Sequence, residues 1–199
     1  ASYAAANACL DAHALSCRAC GGQTGGVQWP RGGGAGRGAA VVVCDSADAG
    51  DANACFATGV PTGVLHAAGA GDKGLLSELD ARRVRWMYAA KAFGAWHVQC
   101  ASAASALEAC VLFSSVGSGL GNVGQANYAA ANACLDAHAL CRRSRGAAAC
   151  SLQWPLVGGA GMGAAAHAAA AERRAGIVGL AGISLEEYAG WLGLQLGVG

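Results

Sequence analysis

The stretch "VLFSSVGSGLGNVGQANYAAANACLDAH" (111–138) carries two periodicities in one line. Its first part lies within "EACVLFSSVGSG" (108–119), an apolar run that ends in Ser and Gly. Such a run predicts a buried strand feeding a Gly loop. Its second part opens "ANYAAANACLDAHALCRRSRG" (126–146), which predicts a helix stopped by Gly146. The neighbours follow the same alternation. "AAVVVCD" (39–45), "TGVLHAAG" (62–69) and "AACSLQWP" (148–155) predict further strands. "ELDARRVRWMYAAKAFGAWHVQCASA" (78–103) predicts a helix, with apolar residues recurring at three and four. "ISLEEYAGWLGLQLG" (183–197) predicts a last helix, with Ser184 as its N-cap ahead of acidic residues. Strands alternating with helices predict an α/β fold built on a parallel sheet. Ligands of such sheets bind at the carboxyl ends of the strands, where Asp45, Gly69, Ser115 and Trp154–Pro155 fall.

The chain also repeats itself. Tyr3 pairs with Tyr128, Asn7 with Asn132, Trp29 with Trp154 and Pro30 with Pro155, all at one offset. "GGAGRG" (33–38) continues the register against "GGAGMG" (158–163). Residues 1–38 therefore read as a second copy of 126–163, and "TGGVQ" (24–28) as a final strand. Cys17 and Cys20 fall opposite Arg142 and Arg145, so this Cys-x-x-Cys reads as drift from a basic helix face. It is not a metal site, which for zinc takes four ligands.

Composition narrows the classes. A formal net charge of +1 gives no electrostatic reason to expect nucleic acid. No run of about 18 apolar residues predicts a membrane span, and no leader opens the chain. Ten cysteines are many, but Cys9, Cys44, Cys110, Cys134 and Cys150 sit in apolar runs. A free thiol packs there as a small hydrophobe, which predicts reduced cysteines in a cytoplasmic protein. His13, His97, His138 and His167 show no ligand spacing, and no metal is expected.

Four residues stand out together. Ser115 closes a strand, Tyr128 lies just inside the next helix, Asn132 is one turn further on, and Lys91 sits on the preceding helix. Alone, each has an ordinary reading: a packing Tyr, a strand-end Ser, a snorkelling Lys. Jointly they suit proton transfer. A phenol with a reference pKa of about 10 is a poor acid near neutrality, and a nearby ammonium favours its phenolate. A Ser hydroxyl beside it can hold a carbonyl oxygen.

These segments, with "SLQWP" (151–155), "GVLHAAGAGDKGLL" (63–76) and "RWMYAAKAFGAWHV" (85–98), resemble the ketoreductase domain of type I modular polyketide synthases. That family belongs to the short-chain dehydrogenase/reductase superfamily. The resemblance implies a Rossmann-like sheet with flanking helices and NADPH-dependent reduction of a β-ketoacyl thioester on an acyl carrier protein. The other domains of a synthase are the implied partners. It implies Tyr128 as proton donor, Ser115 orienting the β-keto oxygen, Lys91 tuning Tyr128 and binding ribose, and Asn132 completing the relay. Ordinary short-chain dehydrogenases carry Lys where Asn132 stands, and the polyketide family exchanges the two positions. Further implied cofactor contacts are Asp45 and Ser46 toward adenine, and the turn of His66, Ala67, Ala68 and Gly69. Trp154 and Pro155 are implied beside the nicotinamide. The Ala-rich run 164–171 falls where the family has a lid.

The resemblance also marks gaps. "GLGNVG" (119–124) fits G-x-G-x-x-G but lies between Ser115 and Tyr128, on the substrate side. The place of the family's phosphate-binding turn holds "WPRGGGAGRG" (29–38), the tail of the repeat. The expected sheet is thus incomplete, its first βαβ phosphate-binding unit missing. The N-terminal copy is expected to patch the gap with a helix and a strand. The expected division is 1–38, a remnant of a preceding ketoreductase copy, and 39–199, a catalytic subdomain. Gly71, Asp72 and Lys73 replace the Leu-Asp-Asp of B-type enzymes, and Leu120 replaces the Trp of A-type enzymes. The alternative is a non-catalytic fragment of reductase fold, kept for structure or arising where two modules are spliced in one gene reading.

Overall fold

The computed structural model describes residues 27–28, 45–57, 63–105, 107–121, 123–158 and 182–195. The expected strand 39–45 apart from Asp45, the lid 164–171, most of the N-terminal copy, Cys17, Cys20, His13 and His167 lie outside them.

The described elements run β1 (Val27–Gln28), α1 (Ala49–Ala57), β2 (Gly63–His66), a 3-10 turn (Leu76–Glu78) and α2 (Ala81–Tyr88). A π-helical turn (Ala89–Phe93) joins α2 to α3 (Gly94–Ala101), followed by β3 (Ala109–Ser115) and the single turn α4 (Gly117–Leu120). Then come α5 (Ala126–Ser144), β4 (Cys150–Trp154) and α6 (Leu185–Gln195). The sheet order is β1-β2-β3-β4. β2 pairs parallel to β3, with Val64 opposite Cys110 and His66 opposite Leu112, and with β4 they form the three-stranded parallel part of a partial Rossmann-like fold. The α/β class expected from the alternation is therefore the observed one.

β1 is informative. By the repeat register it is the copy of β4, yet it occupies the opposite edge and runs antiparallel to β2, Val27 against Leu65. A strand from the first copy of the repeat thus pairs the backbone groups on the edge of β2 away from β3, as an open edge demands.

The chain divides into two compact units, 15–153 and a second made of 1–14 and 154–199. In the larger unit, α2, the π turn and α3 form one rod that packs on α5 and the sheet. The contact is made by small side chains. One cluster is Ala70, Met87, Ala90 and Ala131, with Tyr88 and Tyr128 against it. The other is Ala95, Cys110, Leu112, Leu135 and Ala139. Small residues let the two helices approach closely, so their backbones lie near each other where the polar groups of the site project. Cys55 and Cys110 are buried; Cys110 is a free thiol, as are the more exposed Cys100, Cys134, Cys141 and Cys150.

Local sequence explains most boundaries. Asp80 starts α2 by accepting the Arg83 N–H at 2.7 Å. Helix α1, unforeseen in the sequence, starts at Asp48, whose carboxylate accepts the Asp51 N–H at 2.9 Å. The "Gly loop" after β3 contains α4, because Val116 to Gly121 closes on itself through i→i−4 bonds. Among the described residues, no helix is long and apolar enough to cross a membrane.

In the second unit, Val157 bridges Ile183, Leu192 is buried and the Trp154 and Tyr188 rings meet at 4.3 Å. Burial pushes the Tyr188 phenol well up. Ser184 caps α6 as expected: its Oγ accepts the Glu187 N–H at 3.1 Å, and Glu187 accepts the Ser184 N–H at 2.7 Å. This reciprocal box satisfies two donors that the helix cannot. Ser184→Ala is expected to weaken α6 by about 1 kcal/mol. The check is amide exchange, which should accelerate at Glu186 to Tyr188 and leave α5 unchanged.

Candidate functional site

The carboxyl ends of β2 and β3 point the same way because the strands are parallel. Ser115 ends β3, and His66 ends β2 and opens the turn Ala67–Gly69. Lys91 is carried by the π turn, one of the local helix distortions often found at functional sites. Tyr128 and Asn132 lie one turn apart on α5.

Lys91 is 3% exposed. Its ammonium donates to the Phe113 carbonyl on β3 at 3.2 Å and lies 5.5 Å from the centre of the Tyr128 ring. That is within cation–π range. Burial lowers its pKa to about 8, and the negative charge of Asp136 opposes the shift. Lys91 thus spans from strand to helix, binding the end of β3 to the face of Tyr128.

Asn132 is fully buried. Its Nδ2 donates to the Tyr128 carbonyl at 2.9 Å, and its own carbonyl accepts from Ser114 Oγ at 3.3 Å. Its Oδ1 is buried with no hydrogen-bond partner among the described residues. An orphaned acceptor of this kind is costly unless water or a ligand donates to it. Ser115 Oγ accepts the Gly117 N–H at 3.2 Å, which leaves its hydroxyl proton available to donate.

Two participants were not singled out in the sequence. Ser114, buried on β3, reaches α5 through its hydroxyl, which donates to the Asn132 backbone carbonyl. Asp136 stands one further turn along α5, in the series 128, 132, 136. Burial alone would raise its pKa, but hydrogen bonds from Ser151 (2.6 Å), Ser118 (2.7 Å), Gln153 (2.8 Å) and Ser114 outweigh it and hold the carboxyl below its ordinary value. The helical spacing from Tyr128 was the available signal.

The expected cofactor contacts separate. Ser46 is buried, and a Cβ on Gly94 would come within 2.7 Å of its Oγ and 2.9 Å of His66 Nε2, so Ser46, His66 and the start of α3 meet. His97 Nδ1 also meets the Ser46 carbonyl at 3.1 Å. The Asp45 carboxylate accepts the Ala47 N–H at 2.9 Å and so closes a local turn. Ala68 is buried, and Gly69 is partly covered. Trp154 and Pro155 belong to the second unit.

The residues present suit one end of a nicotinamide cofactor better than the other. Lys91, the Tyr128 phenol and the unsatisfied Asn132 Oδ1 offer donors and an acceptor for a ribose. A pyrophosphate is usually held by free N–H groups at a helix start. The starts of α1, α2 and α6 instead have N–H groups taken by Asp48, Asp80 and Ser184, and at α5 Asn127 Oδ1 accepts the Tyr128 N–H at 2.9 Å. Among the described residues, no group of three or more His, Cys, Asp or Glu is placed to hold a metal ion.

Comparison with known proteins agrees with this architecture. Residues 35–159 match the KR domain family. The chain is 43% identical over 152 residues to the spectinabilin polyketide synthase system protein NorB of Streptomyces orinoci, covering 74% of this chain and 7% of that protein. It is 42% identical over 124 residues to erythronolide synthase EryA2 of Saccharopolyspora erythraea, covering 61% and 3%. Among solved structures, the first ketoreductase of the tylosin PKS superposes with a TM-score of 0.66 at 37% identity, covering 75% of this chain and 32% of that one. An A1-type ketoreductase gives 0.68 at 33% identity, covering 77% and 33%. The chain thus spans only a small part of these curated relatives and about a third of these solved chains. With a KR match over more than half its length, the chain belongs to the KR domain family, the SDR-like ketoreductases of modular polyketide synthases.

Proposed function

We propose that the chain is the catalytic part of a cytoplasmic NADPH-dependent β-ketoacyl reductase, acting on a thioester carried by an acyl carrier protein within a synthase. The observation that carries the reading is the buried Lys91 ammonium lying over Tyr128 and bonded to the end of β3. In this reading Ser115 donates a hydrogen bond to the β-keto oxygen and fixes it beside Tyr128. When bound, the reduced nicotinamide supplies the hydride. Tyr128 gives its phenolic proton to the oxygen as charge develops there. Lys91 stabilises the phenolate left behind, and a water donating to the Asn132 Oδ1 would be the source of the proton that returns to Tyr128. Ser46, His66 and the Ala67–Gly69 turn are assigned to the cofactor side, together with Asp45, Trp154 and Pro155.

The proposed division follows the repeat: 1–38 is the tail of a preceding ketoreductase copy, and 39–199 is the catalytic subdomain. A second reading, a non-catalytic fragment of the same fold, is favoured by one observation. β1 fills the edge of β2 with an antiparallel strand, Val27 against Leu65.

The test mixes the purified chain with NADPH and a β-ketoacyl thioester mimic and follows loss of reduced nicotinamide. Oxidation slowed by about 10²–10⁴-fold in Tyr128→Phe is expected, the usual contribution of a positioned acid. An absence of NADPH binding by calorimetry at millimolar cofactor rejects the enzyme reading and leaves the second.

A further inference from the structure

The loop after β2 is anchored by one guanidinium. Arg83 on α2 grips Asp72 with two nitrogens, Nη2 to Oδ1 at 2.6 Å and Nε to Oδ2 at 3.1 Å. The same guanidinium donates to the carbonyls of Lys73 at 2.7 Å and Glu78 at 3.0 Å. Gly74 lies flat against it: a Cβ there would fall 2.6 Å from two of its nitrogens. Gly74 N–H in turn donates to the Gly124 carbonyl at 2.9 Å, just ahead of α5. Gly124 has φ of 73°, a left-handed conformation that glycine adopts without strain.

Asp72 then reaches α5 itself. Its Oδ2 accepts Asn127 Nδ2 at 2.7 Å, and Asn127 Oδ1 accepts the N–H of Tyr128 at 2.9 Å. Asn127 is 4% exposed, so this amide has little freedom once both ends are bonded. The first N–H groups of a helix have no partner within it. Here the Tyr128 N–H has one, and that partner is aimed by a carboxylate on another loop. The Arg83 guanidinium, and with it the hydrogen bond from Asn127, holds Asp72 below the ordinary carboxylate range, so it stays an acceptor throughout the neutral range.

We propose that Asp72 is a positioning residue for Tyr128: through Asn127 it fixes the backbone of the first turn of α5, and so the place of the phenol over Lys91. The proposal rests on the reductase reading for its effect on rate, but not for its structural step. Only Asp72 of the Leu-Asp-Asp triplet persists here, and this contact gives it work independent of stereochemical class.

The experiment uses the full chain, Asp72→Ala and Asp72→Asn, and reads two quantities. The first is hydrogen exchange of the Tyr128 amide by NMR. Asp72→Ala is expected to lower its protection by about 10-fold, the worth of one charge-assisted hydrogen bond, while Leu135 in the same helix keeps its protection. Asp72→Asn keeps an oxygen for Asn127 and is expected to stay within about 3-fold of the parent on the same scale. Unchanged Tyr128 protection in Asp72→Ala, an equal loss at Leu135, or an Asn variant as damaged as the Ala variant each overturns the proposal. The second quantity is turnover. In an active parent, kcat falls by about 10-fold in Asp72→Ala with KM for NADPH unchanged, and an unchanged kcat overturns the proposal. An inactive parent rejects the reductase reading alone, and the exchange measurement still decides the role of Asp72.

Discussion

Replacing Lys91 by Met raises the stability of the chain by about 2 kcal/mol at pH 7, while it removes the ammonium that the proposed chemistry needs. The gain comes from burial. Burial lowers the Lys91 pKa from 10.5 to about 8 in the folded chain, and Asp136 only partly opposes this. At 1.36 kcal/mol per unit the difference is about 3 kcal/mol, from which about 1 is subtracted for the lost bond to the Phe113 carbonyl. The pH dependence has a definite sign. Between about 8 and 10.5 the unfolded chain holds the proton and the folded chain does not. The unfolded state then binds more protons, so the parent becomes more stable as pH rises through that window. Below it the cost is fully present. Denaturant titration at pH 7 and at pH 10 therefore shows Lys91→Met ahead at the lower pH and nearly level at the higher. A variant less stable than the parent at pH 7 rejects this account of Lys91. In the proposed reaction the same group sets a limit: with the ammonium lost above about pH 8, reduction by the parent is expected to fall as the pH is raised further.

Lys91 also shows what the sequence could and could not carry. Its place on the helix before β3 was readable from periodicity, as were the places of Ser115 at a strand end and of Tyr128 and Asn132 one turn apart on the next helix; the roles proposed for them came from the family resemblance. That Lys91 sits on a π turn was not readable. No single residue in "AAKAF" demands a π turn. Helix α1 was missed for a different reason. Its apolar periodicity is weak, and its signal is the pair Asp48 and Asp51 at capping distance. The position of β1 lay beyond the sequence altogether. The repeat correctly marked Val27–Gln28 as a strand, but its partner was decided by an open sheet edge. Asp72 was noticed only as a relic of a broken triplet, since contacts between distant loops leave no spacing to read.

Leu135→Ala costs about 3–5 kcal/mol and leaves most of the chain without its tertiary fold at 37 °C. The size of the effect follows from how little else fills that core. The rod of α2 and α3 meets α5 through Ala90, Ala95, Ala131 and Ala139, which let the backbones approach but contribute little apolar area each. Leu135 has no exposed surface and packs with Cys110 and Leu112 of β3, so it ties the helix of Tyr128 to the strand of Ser115. Truncating it opens a cavity between rigid Ala-lined surfaces that cannot close further, the condition under which such losses run high. Typical domains hold about 5–15 kcal/mol in all, and a partial sheet has no reason to lie at the upper end. Leu140, on the same helix and 61% exposed, is the control: its replacement by Ala changes stability by about 0.5 kcal/mol or less. Denaturant midpoints of the two variants check this, and near-equal losses would mean that α5 does not pack on β3 as described. The consequence reaches the site. Tyr128 and Asn132 precede Leu135 on one helix and Ser114 and Ser115 follow Leu112 on one strand, so the residue that holds helix to strand also sets the spacing on which the proposed proton transfer depends.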